Sequence, residues 1–505
     1  MIKVARFFSF LLIFASSWNM FFGIKGDRPS FYRWNTQTTR WSVPQTIPGY
    51  NLDSRPPVLI ADQNKTVHAF SSQWLNEDDD SKPVKAIMYN QWTIDNGWSE
   101  PTDVLLSPIN EARITDAILD ENGIIHLIFF GGNGENANIY YATAPAANAY
   151  SVRAWSNPIL IGDIAADPEN AVLVKDSQGN LIVVYYGRKD GKGIYVTTSN
   201  DNGDNWSEPV PFFLVTEDKP NIAAINVITS DSGWIHAIWA VYDISGQGRG
   251  IYYSRTQDPE DWSEPILLAK AESGLGTQTP TIVEYQDILY AIYNATPKIT
   301  MRQSMDQGET WTDPITLFPR HVGVNGSLSA VVDGADNLHL FFGQRISGNP
   351  DIHGMWHSIW VNNHWIEPEA IVKGPRVIDK VGTNGFDPYD AQAIVSQGNV
   401  ILVTWRTDPG DIKPNGVWYA YTQMDIPESP IIPLPTNQAS ITQSTLNSTP
   451  ITATPTPVST IQPILSSVAP YPPSDPAWLI LIGIIPTVLL LVAIILFKVF
   501  KQSRN

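Results

Sequence analysis

A tryptophan placed three residues before a proline recurs seven times along the chain. The repeats read RWSVP, GWSEP, AWSNP, NWSEP, DWSEP, TWTDP and HWIEP, with tryptophans at positions 41, 98, 155, 206, 262, 311 and 365. Successive tryptophans are 57, 57, 51, 56, 49 and 54 residues apart. A period of this length is typical of folds in which each repeat forms one supersecondary unit. The chain is therefore expected to fold as a set of similar units.

The segment before each later tryptophan has the same order of short apolar runs and turns. Residues 170–214, NAVLVKDSQGNLIVVYYGRKDGKGIYVTTSNDNGDNWSEPVPFFL, contain two apolar runs around a glycine turn, an alternating run and a final run. This order predicts a four-stranded antiparallel meander. Four-stranded units of about fifty residues are the blades of β-propellers.

The two ends of the repeat region complete each other. The last inner runs, DAQAIVSQGNVILVTWR and GVWYAYTQMD, are followed by no tryptophan run, and TTRWSVPQTI near the start is preceded by no inner runs. The sequence therefore predicts an all-β fold, a β-propeller of seven blades with four antiparallel strands each, over residues 30–425. The N-terminal strand would join the last blade and leave no open sheet edge. Six blades remain the alternative.

The two ends of the chain predict attachment to a membrane. Residues 1–26 are typical of a signal peptide, with an uncleaved signal anchor as the alternative. Residues 427–477 have the Pro/Ser/Thr-rich composition of an extended stalk, and the uncharged residues 478–497 are long enough for one transmembrane helix. The basic tail 498–505 predicts a single-pass protein of the cell membrane, with the propeller outside the cytoplasm and the tail inside.

Composition excludes several classes of function. The chain has no cysteine, so no disulfide supports the fold, and its net charge of −18 argues against a nucleic-acid partner. No metal-ligand spacing is present, and no cofactor is expected. The glycine run GQGRG at 246–250 lacks the strand and helix context of a nucleotide site. Four histidines at one equivalent position of the repeats are interpreted as packing residues: His68, His126, His236 and His339.

Two turns carry a more specific pattern. SNDNGDNW at 199–206 and SMDQGETW at 304–311 fit Ser-x-Asp-x-Gly-x-x-Trp. This pattern resembles the Asp-box, or BNR repeat, of the sialidase-like propellers, in which these turns lie on the face away from the active site. Within the turn, Asp and Ser accept backbone N–H bonds, Gly supplies positive φ and Trp supplies buried area. The pattern thus predicts the fold and not the chemistry.

A second resemblance lies at the start of the first blade. Arg55-Pro56-Pro57 followed by VLIADQNKTVHAF is similar to the Arg-x-Pro start of sialidases. The resemblance implies that Arg55 holds the carboxylate of an acidic sugar and that Asp80 or a neighbour is the acid. The sequence departs from the family's pattern in three ways. Gln73 or Trp74 stands where a second arginine is expected, and VNGSLSAVV stands where the nucleophilic tyrosine is expected. Sialidases also have six blades, whereas the repeats here predict seven.

Arginines provide the candidate ligand site. Some precede first strands and others follow second strands, so all are expected at one mouth of the channel: Arg55, Arg113, Arg188, Arg345 and Arg406. Because guanidinium groups pair with carboxylates in a bidentate manner, the cluster predicts a pocket for an anionic ligand. The alternative is that each arginine pairs with a nearby acid. Further rim residues are Asp116, Asp390 and the run 78–80, and the weak catalytic candidates are Asp80, Tyr389 and Glu169.

Three functions remain open at this point. The first is a cell-surface sialidase-like propeller that binds a glycan or other anionic ligand without efficient hydrolysis. The second is an exo-α-sialidase or related glycoside hydrolase with a tyrosine nucleophile, since an anionic sugar repels a carboxylate nucleophile. The third is a scaffold for an unknown protein partner.

Overall fold

The computed structural model describes residues 41–50, 54–75, 84–109, 111–132, 137–162, 170–216, 221–271, 276–323, 326–347, 352–375, 388–407 and 416–434. Internal contacts divide the chain into units 1–438 and 439–505. The described part belongs to the first unit and contains no helix that is long and apolar enough to cross a bilayer. The signal peptide, the transmembrane helix, the tail and most of the stalk lie outside the described residues and stay predictions.

The strands form seven antiparallel sheets, which are the blades of a propeller. Strand β1 (Gln45–Thr46) belongs to the last of them. Blade 1 contains β2 (Val58–Ala61), β3 (Val67–Trp74), β4 (Lys85–Thr93), β5 (Gly97–Trp98) and β6 (Thr102–Leu106). Blade 2 contains β7 (Ala112–Leu119), β8 (Ile124–Gly131), β9 (Asn138–Pro145) and β10 (Ile159–Gly162), with 3-10 turns at Ala146–Asn148 and Val152–Ala154.

The next three blades are regular four-stranded sheets. Blade 3 contains β11 (Ala171–Lys175), β12 (Leu181–Gly187), β13 (Gly193–Ser199) and β14 (Val210–Leu214). Blade 4 contains β15 (Asn221–Thr229), β16 (Ile235–Tyr242), β17 (Gly248–Thr256) and β18 (Ile266–Lys270). Blade 5 contains β19 (Thr277–Tyr285), β20 (Ile288–Ala295), β21 (Lys298–Ser304) and β22 (Ile315–Leu317).

The last two blades complete the ring. Blade 6 contains β23 (His321–Val322), β24 (Ser329–Val332), β25 (Leu338–Ile346), β26 (Ile352–Val361), β27 (His364–Trp365) and β28 (Glu369–Pro375). Blade 7 contains β29 (Pro388–Ser396), β30 (Val400–Thr407) and β31 (Val417–Gln423), and its outermost strand is β1. The innermost strands contact one another in cyclic order, and β29 contacts β2. The prediction of seven blades is confirmed.

The N-terminal segment closes the ring as predicted. Gln45 and Thr46 pair with β31, and the backbone N–H of Ser42 donates to Tyr421 O at 2.8 Å. The indole of Trp41 packs against Phe341 of blade 6 with ring centroids 5.9 Å apart. The first described residues therefore connect the last two blades.

The hydrophobic core is divided into seven layers, one between each pair of neighbouring blades. Between blades 3 and 4, for example, Val184 packs in one cluster with Val227 and the fully buried Trp239. Alternating side chains of each strand face the two neighbouring blades, because successive residues of a strand point to opposite faces of the sheet. Each blade is thus stabilised from both sides.

The recurring tryptophans stand at a fixed distance from the outermost strands. Each outermost strand begins four residues after its tryptophan, as in Trp206 before β14 and Trp311 before β22. In the turn at 199–206, Asp201 Oδ1 accepts the N–H of Asn205 at 2.8 Å, and Trp206 Nε1 donates to Gly203 O at 3.1 Å. The turn positions the ring of Trp206 against the neighbouring blade, where Tyr141 lies 5.2 Å away. These turns are structural, as predicted.

The four repeated histidines are packing residues, which confirms their interpretation. All are buried, and each Nδ1 atom lies within hydrogen-bond distance of a buried ring group on the next strand. The partners are Tyr89 for His68, Tyr141 for His126, Tyr253 for His236 and His357 for His339. Asp333, in the preceding turn, lies 3.1 Å from His339 Nε2.

Candidate functional site

The two faces of the ring carry different loops. One face holds the connections from the second to the third strand of each blade and from the outermost strand to the next blade, and we call it the mouth. The opposite face, the far face, holds the hairpins between first and second strands and the tryptophan turns. Innermost strands begin, and second strands end, at the mouth. Side chains at these positions therefore surround the axis of the ring.

Three residues of blade 7 form a compact group at the mouth, which we call the blade 7 group: Tyr389, Asp390 and Arg406. Arg406 Nε donates to Asp390 Oδ2 at 2.8 Å, and its guanidinium carbon lies 5.0 Å from the centre of the Tyr389 ring. Tyr389 stands directly opposite Arg406 in the sheet, and a bulge follows it. Asp390 has a φ of 54° and accepts the N–H of Ser327 of blade 6 at 3.0 Å. The group therefore combines a cation, an anion and an aromatic ring in a fixed geometry.

A second phenol lies at the mouth in blade 4. Tyr242 ends β16, and burial raises its pKa to about 12, although the backbone N–H of Thr279 lowers it and Tyr389 contributes to the rise. Thr279 itself has a φ of 48° and accepts a hydrogen bond from Asn294 Nδ2 at 2.6 Å. Tyr242 is protonated at neutral pH and its hydroxyl can donate a hydrogen bond.

Blade 2 has its own arginine and carboxylates. Arg113 NH2 donates to Glu111 Oε2 at 2.9 Å. Asp116 accepts the N–H groups of Ala117 and of Leu173 in blade 3, both at 2.9 Å. Burial raises the pKa of Asp116 to about 7, although these two N–H groups lower it. Asp116 therefore connects blades 2 and 3.

The five predicted arginines all lie at the mouth ends of their strands, but their surroundings differ. Arg113 and Arg406 pair with acids of their own blades, as the alternative interpretation expected. Arg345, in β25, is exposed at the mouth. Arg55 is exposed just before β2, and Arg188 directly follows β12; both have interactions with other residues. Of these five arginines, Arg345 and Arg55 are the exposed ones.

The catalytic candidates divide into two groups. Tyr389 is placed at the mouth beside Arg406, as described above. Asp80 and Glu169 lie outside the described residues, as does the rest of the acidic run 78–80. Their roles stay predictions. Within the described ranges no group of three or more His, Cys, Asp or Glu side chains is placed to hold a metal ion.

Tyr242 and Asn294 are mouth residues that sequence reasoning missed. Both lie at the ends of second strands, the same position that drew attention to Arg406. A comparison of repeats for all polar residues at that position, and not for arginine alone, would have found them. The bulges in innermost strands, such as the one after Tyr389, have no signal in the alternation of apolar residues.

Comparisons with known proteins reveal similarity only at the level of structure. No family model matches the chain, and no curated protein sequence matches it. Among solved structures, a protein of unknown function from Dyadobacter fermentans has a TM-score of 0.44 at 14% identity, over 76% of this chain and 99% of that one. An ulvan lyase has a TM-score of 0.47 at 12% identity, over 74% of this chain and 95% of that one.

Sialidases occur among the similar structures as well. The intramolecular trans-sialidase from Ruminococcus gnavus, in complex with oseltamivir carboxylate, has a TM-score of 0.40 at 13% identity. The match covers 78% of this chain and 98% of that one. At these identities and TM-scores the similarity assigns neither a family nor an activity to this chain.

Proposed function

We propose that the chain is a cell-surface, sialidase-like propeller whose mouth binds a glycan or another anionic ligand. The observation that carries the proposal is the blade 7 group, in which Arg406 is bonded to Asp390 and stacked on Tyr389 at a mouth that also bears exposed arginines. A phenol ring provides an apolar face for a sugar ring, while hydroxyl, carboxylate and guanidinium groups bond to sugar hydroxyls. Convergent polar groups in a concave site are typical of ligand binding.

The charge of the ligand is inferred from the cations around this group. Arg345 and Arg55 are exposed at the mouth of a protein whose net charge is −18. Cations gathered at one face of an acidic protein favour an anionic partner over a cationic one. A carboxylate, such as that of a uronic or sialic acid, matches the bidentate geometry of a guanidinium group.

The test is a binding measurement on the full chain, purified in mild detergent because both ends are apolar. We expect an array of acidic glycans to give signals that fall when Arg345 is changed to Glu. Loss of a charge-assisted hydrogen bond lowers affinity by about 10- to 100-fold. The matched control is Arg153→Glu, an exposed arginine on the far face, which leaves affinity unchanged.

The same preparation separates the other two functions. Turnover of a fluorogenic sialoside that is abolished by Arg55→Ala would establish the exo-sialidase. An array without any glycan signal, together with specific capture of one protein by the wild type and not by Arg345→Glu, would establish the scaffold. The proposed arrangement in the membrane is tested by protease protection, which should leave only the basic tail 498–505 on the cytoplasmic side.

A further inference from the structure

An open cavity of about 340 Å³ lies at the mouth between blades 4 and 5, apart from the blade 7 group. Its walls come from the loop after β16, the start of β19 and the turn after β20. The lining residues are Ser245, Gly246, Gln247, Gly276, Gln278 and Thr296. All six are neutral, and they offer two primary amides, two hydroxyls and two glycine backbones. The glycine run at 246–250, which has no nucleotide-binding context, thus forms part of a cavity wall.

The loop that carries this run is held by one aspartate. Asp243 Oδ1 accepts the hydroxyl of Ser245 at 2.6 Å and the N–H groups of Ser245 at 2.9 Å and Gln247 at 3.1 Å, while Arg249 Nε donates to Oδ2 at 2.6 Å. These donors hold the pKa of Asp243 far below its usual range. The only charges close to the cavity wall in the described loop therefore neutralise each other. The loop presents fixed, uncharged hydrogen-bonding groups.

Glycine is required for the close approach of the two walls. A Cβ atom on Gly248 would stand 1.9 Å from the carbonyl oxygen of Thr277, so blade 4 touches blade 5 there only without a side chain. At Gly276 the situation differs, because a Cβ atom would lie 3.6 Å from Gln247 Cγ and 3.7 Å from Thr296 Oγ1. A methyl group at Gly276 would fit the fold and project between two lining side chains.

The two lining amides are available to a ligand. In the part of the chain that the structure describes, the side chains of Gln247 and Gln278 make no hydrogen bond, and both are only partly exposed. Each primary amide can donate and accept. Sugar hydroxyls also donate and accept, whereas an anion would find no cation and an apolar group no apolar surface in this lining. The chemistry of the cavity matches a neutral, polyhydroxylated unit.

A row of polar groups leads from this cavity along the mouth end of blade 5. Gln278 stands opposite Asn294 in the sheet, and Asn294 Nδ2 donates to Thr279 Oγ1 at 2.6 Å. Tyr242, at the end of β16 in blade 4, provides a phenol at the same mouth. A ligand that is held at the mouth arginines and extends along this row would contact the cavity lining.

We propose that the cavity between blades 4 and 5 is a subsite for a neutral sugar unit linked to the acidic unit held at the arginines. The inference rests on the proposed function and specifies it, because the ligand becomes an acidic oligosaccharide and not an acidic monosaccharide. The neutral unit bonds to Gln247, Gln278 and the hydroxyl of Thr296, and it donates to the hydroxyl oxygen of Ser245, whose own proton goes to Asp243.

The test compares short and extended probes on the full chain in detergent by titration calorimetry. Each of two sets contains an acidic unit, a neutral unit and the two joined. The first set is N-acetylneuraminate, lactose and sialyllactose. The second set is glucuronate, N-acetylglucosamine and the disaccharide of these two. We expect one extended acidic probe to bind about tenfold or more tightly than its acidic unit alone, equivalent to the net gain of one to three hydrogen bonds. Gln278→Ala and Gly276→Ala reduce this gain about three- to tenfold and leave the affinity of the acidic unit unchanged.

The control is Gln63→Ala, an exposed glutamine that lines a separate cavity on the far face. It should alter neither affinity, and thermal denaturation of all three variants should match the wild type. The subsite is overturned if short and extended acidic probes bind with equal affinity, or if Gln278→Ala lowers the affinity for both by the same factor. The proposed function stands in either case. If neither acidic unit nor its extended form binds, the proposed function fails and the subsite with it. Binding of a neutral probe alone that Gln278→Ala removes supports the subsite independently.

Discussion

His321 provides a direct test of how burial stabilises the ring. It lies in β23 at the mouth end of blade 6 and is 3% exposed. Its ring packs edge-on against Trp356 at 4.6 Å and Phe342 at 5.7 Å. Neither ring nitrogen has a hydrogen-bond partner in the described part of the chain. Burial lowers the pKa of His321 from 6.5 to about 4, with Arg320 and Lys298 lowering it further and Glu367 opposing them.

The sign of the pH effect follows from the direction of this shift. The unfolded chain binds a proton at this histidine near pH 6.5, and the folded chain binds it only near pH 4, so acid favours the unfolded chain. The stability from this group is complete above the unfolded pKa and is lost as the pH falls from about 6.5 to about 4. At pH 5 the loss is about 2 kcal/mol, because one pKa unit corresponds to about 1.4 kcal/mol.

The variant His321→Leu removes this loss. At pH 7.5 we expect its free energy of unfolding to equal the wild-type value or exceed it by about 1 kcal/mol, because an unpaired polar ring is replaced by an apolar side chain of similar size. At pH 5 the difference should widen by about 2 kcal/mol. Urea unfolding of the full chain, followed by tryptophan fluorescence at both pH values, measures the two free energies.

The exposed His364 gives the matched control, since His364→Leu should shift neither curve relative to the wild type. Other groups titrate in the same range: burial also lowers the pKa values of His236 and His357 to about 4, and burial raises that of Asp116 to about 7 with the opposite effect on stability. These groups are present in the wild type and in both variants. Only the difference in unfolding free energy between His321→Leu and the wild type therefore reports on His321. Parallel pH profiles for His321→Leu and wild type would refute the reasoning.

Three further outcomes are expected. Trp41→Phe keeps ring packing but loses the Nε1 bond to Glu369, 3.1 Å long, so urea unfolding should give a stability about 1 kcal/mol lower. Gly308→Ala should cost about 3 kcal/mol or more in the same measurement, because φ is +84° and a Cβ atom would overlap the hydroxyl of Tyr253; an unchanged midpoint would contradict this. Asp390→Ala removes bonds to blade 6 and to the blade 7 arginine, so we expect about 2 kcal/mol of destabilisation together with weaker glycan binding; loss of binding alone would mean that it is not a structural residue.

Most of the architecture could be predicted because the repeat pattern contains it several times. The fixed step of four residues from each tryptophan to its outermost strand, visible at Trp206 and Trp311, reflects one turn geometry used in every blade. The closure of the ring could be predicted because the first tryptophan run has no inner runs before it and the last inner runs have no tryptophan run after them. The packing role of the repeated histidines followed from their equivalence, since a residue that several blades share serves the blade.

The mouth was less predictable, for physical reasons that particular residues show. Arg113 and Arg406 were found by position, but whether an arginine faces a ligand or an acid depends on side-chain contacts such as that with Asp390. His321 lies in β23, an additional strand between blades 5 and 6 that breaks the repeat. Tyr242 and Asn294 end second strands in blades 4 and 5, and no periodicity within a single blade shows which residues of other blades share the mouth with them.

The segment after the last strand has a mechanical consequence. It crosses the far face from blade 7 to blade 1, where Ser429 N–H bonds to Gln397 O at 2.8 Å and Ile432 N–H bonds to Gln63 O at 3.1 Å. A pull on the chain beyond Leu434 is therefore transmitted to the seam between the first and last blades, where these bonds resist it. Residues 429–434 lie on the face opposite the mouth, so a load applied to them leaves the mouth unobstructed.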